Sequence, residues 1–205
     1  MGIPVLILGE SGSGKSTSMR NFKPGDVLVC NVASKPLPFR GQLDKIEQAG
    51  YKAIFNALDE HKYNRYVIDD SQYLLCFEMF SKAKETGYGK FTDMALHFYS
   101  LIQRVIKNTP SDTIVYFLHH VQKNEYGTKA KTIGKMLDDQ LTVEGLFSIV
   151  LMAEYENGKY FFRTQTNGND TVKSPLNMFS DREIDNDLVQ VDKAIREYWN
   201  LEGSK

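Results

Sequence analysis

The stretch IPVLILGESGSGKST, residues 3–17, decides the fold class of this 205-residue chain. Its first part, Ile3–Leu8, is a continuous apolar run, which is typical of a strand buried on both faces of a sheet. The next part, Gly9–Ser16, matches the pattern G-x-x-x-x-G-K-[ST] at every fixed position. An apolar strand before the pattern and a predicted helix after it, over Ser16–Phe22, argue against a chance match. The stretch therefore predicts a P-loop, which binds the triphosphate of a nucleotide.

The predicted ligand of this loop is ATP with Mg²⁺. The predicted phosphate-binding set is Glu10, Ser11, Gly12, Ser13, Gly14, Lys15, Ser16 and Thr17. The glycines let backbone N–H groups turn toward the phosphates, and the N-terminus of the following helix adds the positive end of its dipole. We expect Lys15 to reach the β- and γ-phosphates as a catalytic residue, and the Ser16 hydroxyl to ligate Mg²⁺.

A second acidic element follows the predicted strand Arg65–Asp69, where the sequence reads Tyr66-Val67-Ile68-Asp69-Asp70. A buried strand of a parallel sheet delivers its last residues to the edge where the P-loop also lies. We expect Asp69 to hold Mg²⁺, directly or through a water, as the Walker B acid. Asp70 is a candidate for the catalytic group that polarises the attacking water and for the N-cap of the helix that starts near Ser71, and both roles could coexist.

Two histidines, His119 and His120, end the predicted strand Thr113–Leu118. This end of an open α/β sheet borders the ligand crevice. One histidine could therefore sense the γ-phosphate, whereas the alternative is a capping or surface histidine. Zinc is not expected, because no partner ligands stand at suitable spacing.

Basic residues dominate the segment 121–135, which is predicted to be a flexible polar loop. It carries Lys123, Lys129, Lys131 and Lys135 against the single acid Glu125, with Tyr126 between them. Lysines with an aromatic ring can grip a single-stranded backbone and stack on a base. Two alternatives remain: a lysine that reaches the nucleotide of a neighbouring subunit, and a solvated surface loop.

The rest of the chain alternates short apolar runs with longer amphipathic ones. The predicted further elements are strands at 27–32, 147–155 and 159–166, helices at 43–49, 53–61, 72–84 and 94–107 with Thr92 and Asp93 as caps, a short helix ending at 141, and a final helix at 184–201. The step Asn157-Gly158 predicts a tight hairpin turn. This order predicts one α/β domain over 1–205, a three-layer sandwich with a mostly parallel sheet and a C-terminal antiparallel hairpin.

Composition excludes several classes. Apolar residues make up 41% of the chain and charged residues 25%, with a net charge of −1, so any contact with a polyanion must come from a local basic patch. No apolar stretch is long enough for a membrane span, and Ile3–Leu8 runs into a glycine loop rather than a cleavage site. We therefore expect a soluble cytoplasmic protein in which Cys30 and Cys76 are reduced thiols.

The order of these motifs resembles the RecA-like recombinase core. The run TIGKMLDDQLTVEGLFSIVL, residues 132–151, is more specifically similar to the phage-borne AAA ATP-binding family, which includes single-strand annealing proteins of the Sak type. The shorter strings Lys173-Ser174-Pro175, Met178-Phe179 and Ile184-Asp185-Asn186-Asp187-Leu188 are similar too. The resemblance implies an ATPase of phage DNA recombination that binds single-stranded DNA, works with a single-strand DNA-binding protein and forms homo-oligomers. It also places His120 at the γ-phosphate sensor and residues 122–135 at the DNA-binding loop.

The chain departs from that family in one place. RecA-like ATPases carry a catalytic glutamate after the second strand, where this chain has Asn31-Val32-Ala33-Ser34-Lys35. We therefore expect slow, Mg²⁺-dependent hydrolysis; the absence of the glutamate either removes the base or moves its role to Asp70. A small-molecule kinase is the main alternative, although the seven arginines are scattered and the candidate lid 121–135 contains none of them. A non-hydrolysing regulatory module that keeps ATP bound is a further alternative, and a GTPase is disfavoured because no Asn-Lys-x-Asp motif follows a strand.

Overall fold

The computed structural model describes residues 1–125, 127–134, 137 and 141–201. The strands in these ranges are β1 (Ile3–Gly9), β2 (Leu28–Asn31), β3 (Asp44–Glu47), β4 (Arg65–Asp69), β5 (Ile114–Asn124), β6 (Gly127–Ala130), β7 (Ile149–Glu156), β8 (Lys159–Arg163) and β9 (Glu183–Asp185). The α-helices in these ranges are α1 (Tyr51–Asp59), α2 (Gln72–Ser81), α3 (Gly89–Asn108) and α4 (Leu188–Trp199).

The strands form one sheet in the order β3-β2-β4-β5-β1-β7-β8-β9, with β6 paired to the end of β5. Pairing is parallel from β3 through to β7, and antiparallel from β7 through β8 to β9. Asn157 and Gly158 both have positive φ, 51° and 83°, in the turn between β7 and β8, as a two-residue type I′ hairpin requires. The predicted mostly parallel sheet and C-terminal antiparallel hairpin are confirmed.

Helices cover both faces of the sheet. Alternate residues of β5 divide between two cores: Val115 and Phe117 pack with α1, α2 and α3 on one face, and Ile114 and Tyr116 pack with α4 on the other. Parallel strands buried on both faces need this double cover, which explains their nearly continuous apolar sequences. The α/β architecture is confirmed, and the layers are consistent with the predicted sandwich.

Helix α4 begins at Leu188 because Asp187 caps it, its carboxylate accepting from the Val189 N–H. The helix ends where Asn200 adopts the left-handed conformation. The predicted helix 184–201 therefore starts too early, since its first residues pair with β8 as strand β9. Asp192 fastens the helix to the sheet through Arg65 and the Tyr116 hydroxyl, and it also binds Arg196 on the same helix.

Three other predicted elements differ. The helix predicted over residues 43–49 is wrong, because this segment contains β3, a four-residue strand held by its parallel pairing with β2. Thr92 and Asp93 lie inside α3 rather than at its cap. The segment 121–134 is largely a strand extension and a hairpin rather than a loop, because β5 continues to Asn124 and pairs with β6. The helix predicted to end at 141 lies mostly outside the described residues.

Candidate nucleotide-binding site

The P-loop follows β1, which lies between β5 and β7. Gly12 and Gly14 have φ of 81° and 92°, a conformation that L residues rarely adopt. A Cβ at Gly14 would lie 2.6 Å from Cδ1 of Tyr160, so a larger residue there would have to displace that ring. The predicted helix Ser16–Phe22 is a single 3-10 turn, Ser16–Met19. Its dipole is therefore smaller than expected, and the loop's own N–H groups and Lys15 must provide most of the positive potential.

Lys15 is buried, at 6% exposure, and folds back onto the loop. Its Nζ donates to the carbonyl oxygens of Gly9 and Glu10, at 2.8 and 2.7 Å. Burial lowers the pKa of Lys15 to about 8, against the opposing attraction of Asp70 and Asp69. A buried ammonium that binds only neutral carbonyls is stabilised when a strong anion approaches it. Lys15 could therefore exchange these carbonyl contacts for phosphate oxygens.

Ser16 and Asp69 meet across the gap between the P-loop and β4, with the Ser16 hydroxyl donating to Oδ1 of Asp69 at 2.8 Å. Burial raises the pKa of Asp69 to about 6, and the hydrogen bond from Ser16 only partly opposes this. An octahedral Mg²⁺ with ligands at about 2.1 Å places neighbouring oxygens about 3 Å apart, close to the observed separation. The two side chains therefore fit the cation, and the remaining ligands would be phosphate oxygens and water.

No cluster of three or more His, Cys, Asp or Glu side chains that could hold a metal occurs in the part of the chain that the structure describes.

Asp70 is held by two cationic or polar partners. Its carboxylate accepts from Nε2 of His120 at 3.2 Å and pairs with Nζ of Lys35 at 2.5 Å. Burial raises the pKa of Asp70, but His120 and Lys35 outweigh burial and lower it overall. The N-cap of α2 is Ser71, without a side-chain capping bond. Asp70 is therefore not the cap, and a carboxylate of low pKa that already holds two donors is a weak base.

The two histidines have different places. His119 is fully buried, with Nδ1 2.9 Å from the Ser71 hydroxyl and Nε2 2.9 Å from the Lys131 carbonyl oxygen. Burial lowers the pKa of His119 to about 4, so its ring is neutral at pH 7. Because a carbonyl only accepts, Nε2 carries the proton and Nδ1 accepts from Ser71. His119 therefore ties the end of the β5–β6 hairpin to the residues after β4, while His120 faces Asp70.

The predicted lysines do not form one patch. The Nζ of Lys123 lies 2.7 Å from the Glu10 carboxylate, so Lys123 turns toward the P-loop. In the β5–β6 register Lys129 stands opposite Gln122, one residue out of phase with Lys123, and so projects from the other face of the hairpin. Lys131 continues on the Lys129 side, its N–H donating to the His120 carbonyl. Lys135 and Tyr126 lie outside the described residues.

Sequence reasoning missed Lys35 and Glu47. Lys35 follows β2 and covers Asp70, with its ammonium 5.2 Å from the ring centre of Tyr73. Glu47, at the end of β3, accepts from the Asn31 amide at 2.8 Å. It lies two strands from Asp69, a separation of about 10 Å. The basic residue after β2 is visible in the sequence, whereas Glu47 can be placed only once β3 is known to be a strand.

A cleft of about 560 Å³ adjoins the P-loop, between Glu10–Ser13 and the strands β7 and β8. The charges on its walls are mostly paired: Arg163 binds the carboxylates of Glu154 and Asp170, and Lys123 binds Glu10. The cleft is therefore polar and open beside the loop, and its walls carry more acids than bases, which disfavours a second anion.

Within the described ranges, no helix has both the length and the apolar character needed to cross a bilayer. The chain matches no protein-family model, and no curated protein is significantly similar to it.

Proposed function

We propose that this protein is a P-loop ATPase with a RecA-like core that binds MgATP and couples the nucleotide to single-stranded DNA. One observation supports nucleotide binding: Lys15, Ser16 and Asp69 lie together where β1 and β4 end. The Ser16 hydroxyl is 2.8 Å from Oδ1 of Asp69. An ammonium, a hydroxyl and a buried carboxylate in this arrangement are the groups that hold the phosphates and Mg²⁺ of a nucleoside triphosphate.

The chain's own residues do the binding and orientation. Lys15 exchanges the carbonyls of Gly9 and Glu10 for phosphate oxygens, and Ser16 and Asp69 would hold Mg²⁺. When bound, Mg²⁺ neutralises the charge that develops on the phosphate oxygens. Strand β5 lies between β1 and β4, so its end lies beside the loop, and we expect His120 there to face the γ-phosphate.

Hydrolysis is expected to be slow. Asp70 is the acid nearest the expected position of the attacking water, yet Lys35 and His120 both bind it and lower its pKa. General-base catalysis is most efficient when the base has a pKa near the working pH, which Asp70 does not have in this state. Fast turnover would require His120 or Lys35 to leave Asp70, for example when DNA or a neighbouring subunit binds.

The proposal that the protein binds single-stranded DNA depends on the β5–β6 hairpin and on the resemblance to phage annealing ATPases of the Sak type. One strand, β5, runs from His120 at the nucleotide to Lys123 on the hairpin. His119 links the Ser71 hydroxyl, next to Asp70, to the backbone of Lys131, and we propose that this link carries a shift at the nucleotide to the hairpin's basic face. We propose that Lys129 and Lys131 contact the DNA backbone in a homo-oligomer that works beside a single-strand DNA-binding protein during recombination.

The test measures ATP turnover with and without single-stranded DNA, and DNA affinity with and without MgATP at fixed salt. We expect MgATP to raise DNA affinity in the wild type but not in Lys15→Ala. Lys129→Glu combined with Lys131→Glu should weaken DNA binding and reduce its salt slope by about 0.7 for each phosphate that is no longer neutralised. The matched control is Lys193→Glu on α4, which is 73% exposed. Equal effects on DNA affinity in the control and the double variant would refute the hairpin as the DNA site.

A module that keeps ATP without hydrolysing it is the second candidate, favoured by the pairing of Asp70 with Lys35 and His120. Retained ATP binding with background turnover, even with DNA present, would select this candidate. Transfer of the γ-phosphoryl group to a small acceptor, with no effect of DNA on the rate, would instead identify a kinase.

A further inference from the structure

Beside the P-loop, on the side away from Asp69, lie Tyr160 of β8 and Asn186, the residue after β9. We propose that these two side chains form a nucleoside subsite, in which the Tyr160 ring stacks on an aromatic base and the Asn186 amide donates to an acceptor atom of the nucleoside. This inference rests on the proposed function, because the phosphates of the same ligand would occupy the P-loop.

Asn186 carries a buried donor without a partner. The residue is 1% exposed, and its Nδ2 makes no hydrogen bond within the part of the chain that the structure describes. Arg20 fixes which end of the amide is nitrogen, since its guanidinium can only donate and lies 3.4 Å from Oδ1. The NH₂ group therefore points away from Arg20. Folded proteins rarely leave such a donor unpaired without a reason.

The unpaired amide is aimed at the P-loop. Its Nδ2 lies 3.2 Å from the position that a Cβ on Gly14 would take. The backbone around it is held from the P-loop side, because Arg20 also donates to the Asn186 carbonyl and the Asn21 amide donates to Asp187 at 2.8 Å. Asn186 is thus positioned by the residues that follow the loop, which is how a ligand-facing side chain is kept in place.

Tyr160 covers the same spot from β8. Its Cδ1 lies 2.6 Å from the position that a Cβ on Gly14 would take, so the ring rests directly on the loop. The ring is also 4.5 Å from the ring of Tyr155 on β7, and both tyrosines are substantially exposed, at 43% and 56%. An exposed aromatic pair beside a phosphate loop offers a face on which a base can stack. In this state Tyr160 lies over Asn186, so the nucleoside must displace the ring slightly to reach the amide.

The direction of the triphosphate supports this placement. Its γ end is expected near Asp69 and His120, on β4 and β5, which lie on one side of β1. The nucleoside is attached at the opposite end of the phosphate chain, and so extends toward β7, β8 and β9 on the other side. Tyr160 and Asn186 lie there, directly against Gly14 of the loop. The proposed subsite therefore gives a role to the segment Ile184–Leu188, one of the strings that carry the family resemblance.

Calorimetric titration with MgATP and with magnesium tripolyphosphate separates nucleoside contacts from phosphate contacts. We expect Tyr160→Ala to weaken MgATP binding about tenfold, the effect of removing one base stack, and to leave tripolyphosphate binding unchanged. Tyr160→Phe should keep wild-type affinity for both ligands because it retains the ring. Tyr198→Ala is the matched control: Tyr198 is 40% exposed and lies near the far end of α4.

Asn186→Leu tests the amide independently of the ring, because it keeps a side chain of similar size and removes the NH₂ donor without placing a charge beside the phosphates. It should weaken MgATP binding and spare tripolyphosphate, with the melting temperature measured alongside to confirm folding. The inference is overturned if Tyr160→Ala weakens both ligands equally, or weakens neither. A wild type that binds neither ligand overturns the proposed function as well, whereas binding of both with a silent Tyr160→Ala overturns the nucleoside subsite alone.

Discussion

Replacing Asp69 with asparagine should stabilise the ligand-free protein while removing its response to Mg²⁺. Burial raises the pKa of Asp69 to about 6. At pH 7 the folded protein therefore contains an ionised carboxylate whose ionisation is less favourable than in the unfolded chain. A shift of about two units from the ordinary value corresponds to about 3 kcal/mol of stability that ionisation removes. Burying the NH₂ group of the asparagine costs part of this free energy, so the net increase in the free energy of unfolding is about 2 kcal/mol.

For a chain of this length, about 2 kcal/mol raises the melting temperature by about 4–8 °C. The assay is thermal unfolding in EDTA at pH 7, followed by circular dichroism. The sign can be checked with pH: a group whose pKa is raised in the folded state adds stability below its unfolded pKa and loses it as pH rises through the folded value. Near pH 5 wild-type Asp69 is already largely protonated, so the advantage of Asp69→Asn should shrink there.

The neighbouring residue provides the control. The pKa of Asp70 is lowered by His120 and Lys35, so its charge stabilises the fold, and Asp70→Asn should lower the melting temperature at pH 7. MgATP should raise the melting temperature of the wild type, by mass action on the folded state, but not that of Asp69→Asn. The reasoning is refuted if Asp69→Asn melts below the wild type at pH 7, or if both asparagine variants shift in the same direction.

Three further outcomes follow from the packing. Gly14→Ala should destabilise the fold more than Gly12→Ala, as measured by denaturant titration. Both positions require positive φ, which costs an alanine about 1–2 kcal/mol, but only a side chain at Gly14 also meets the Tyr160 ring. Asp192→Ala should cost about 3–5 kcal/mol by the same measurement, because it leaves partly buried arginines unpaired. His119, with its pKa lowered to about 4, contributes stability above pH 6.5 that is lost as pH falls toward 4; His119→Gln should therefore lose less stability over that range.

The centre of the sheet is predictable from the sequence because its signals are local. An apolar run before a glycine loop identifies β1, and an apolar run before two acids identifies β4, whatever the rest of the chain does. The short strand β3, with the sequence Asp-Lys-Ile-Glu, has no such signal. Its conformation comes from pairing with β2, which is set by tertiary contacts rather than by its own residues.

The residues of the candidate site can be predicted from the sequence, whereas several contacts between them cannot. The P-loop residues and Asp69 follow from motif positions, and their proximity follows from parallel strands sharing one edge. The partners of Asp70 do not, since Lys35 comes from a loop distant in sequence. Likewise, nothing local indicates that Tyr160 and Asn186 both lie against Gly14, because three separate elements must fold before those contacts exist.

The central claim is that Lys15, Ser16 and Asp69 together hold the magnesium triphosphate of ATP. Calorimetric titration of ATP tests it most directly, on the wild type with Mg²⁺, on the wild type with EDTA, and on Lys15→Met with Mg²⁺. We expect one nucleotide per chain in the first case and affinity weaker by about tenfold or more in the other two, as charge-assisted hydrogen bonds of this kind imply. Equal affinity in all three titrations, or no binding to the wild type, would contradict the account.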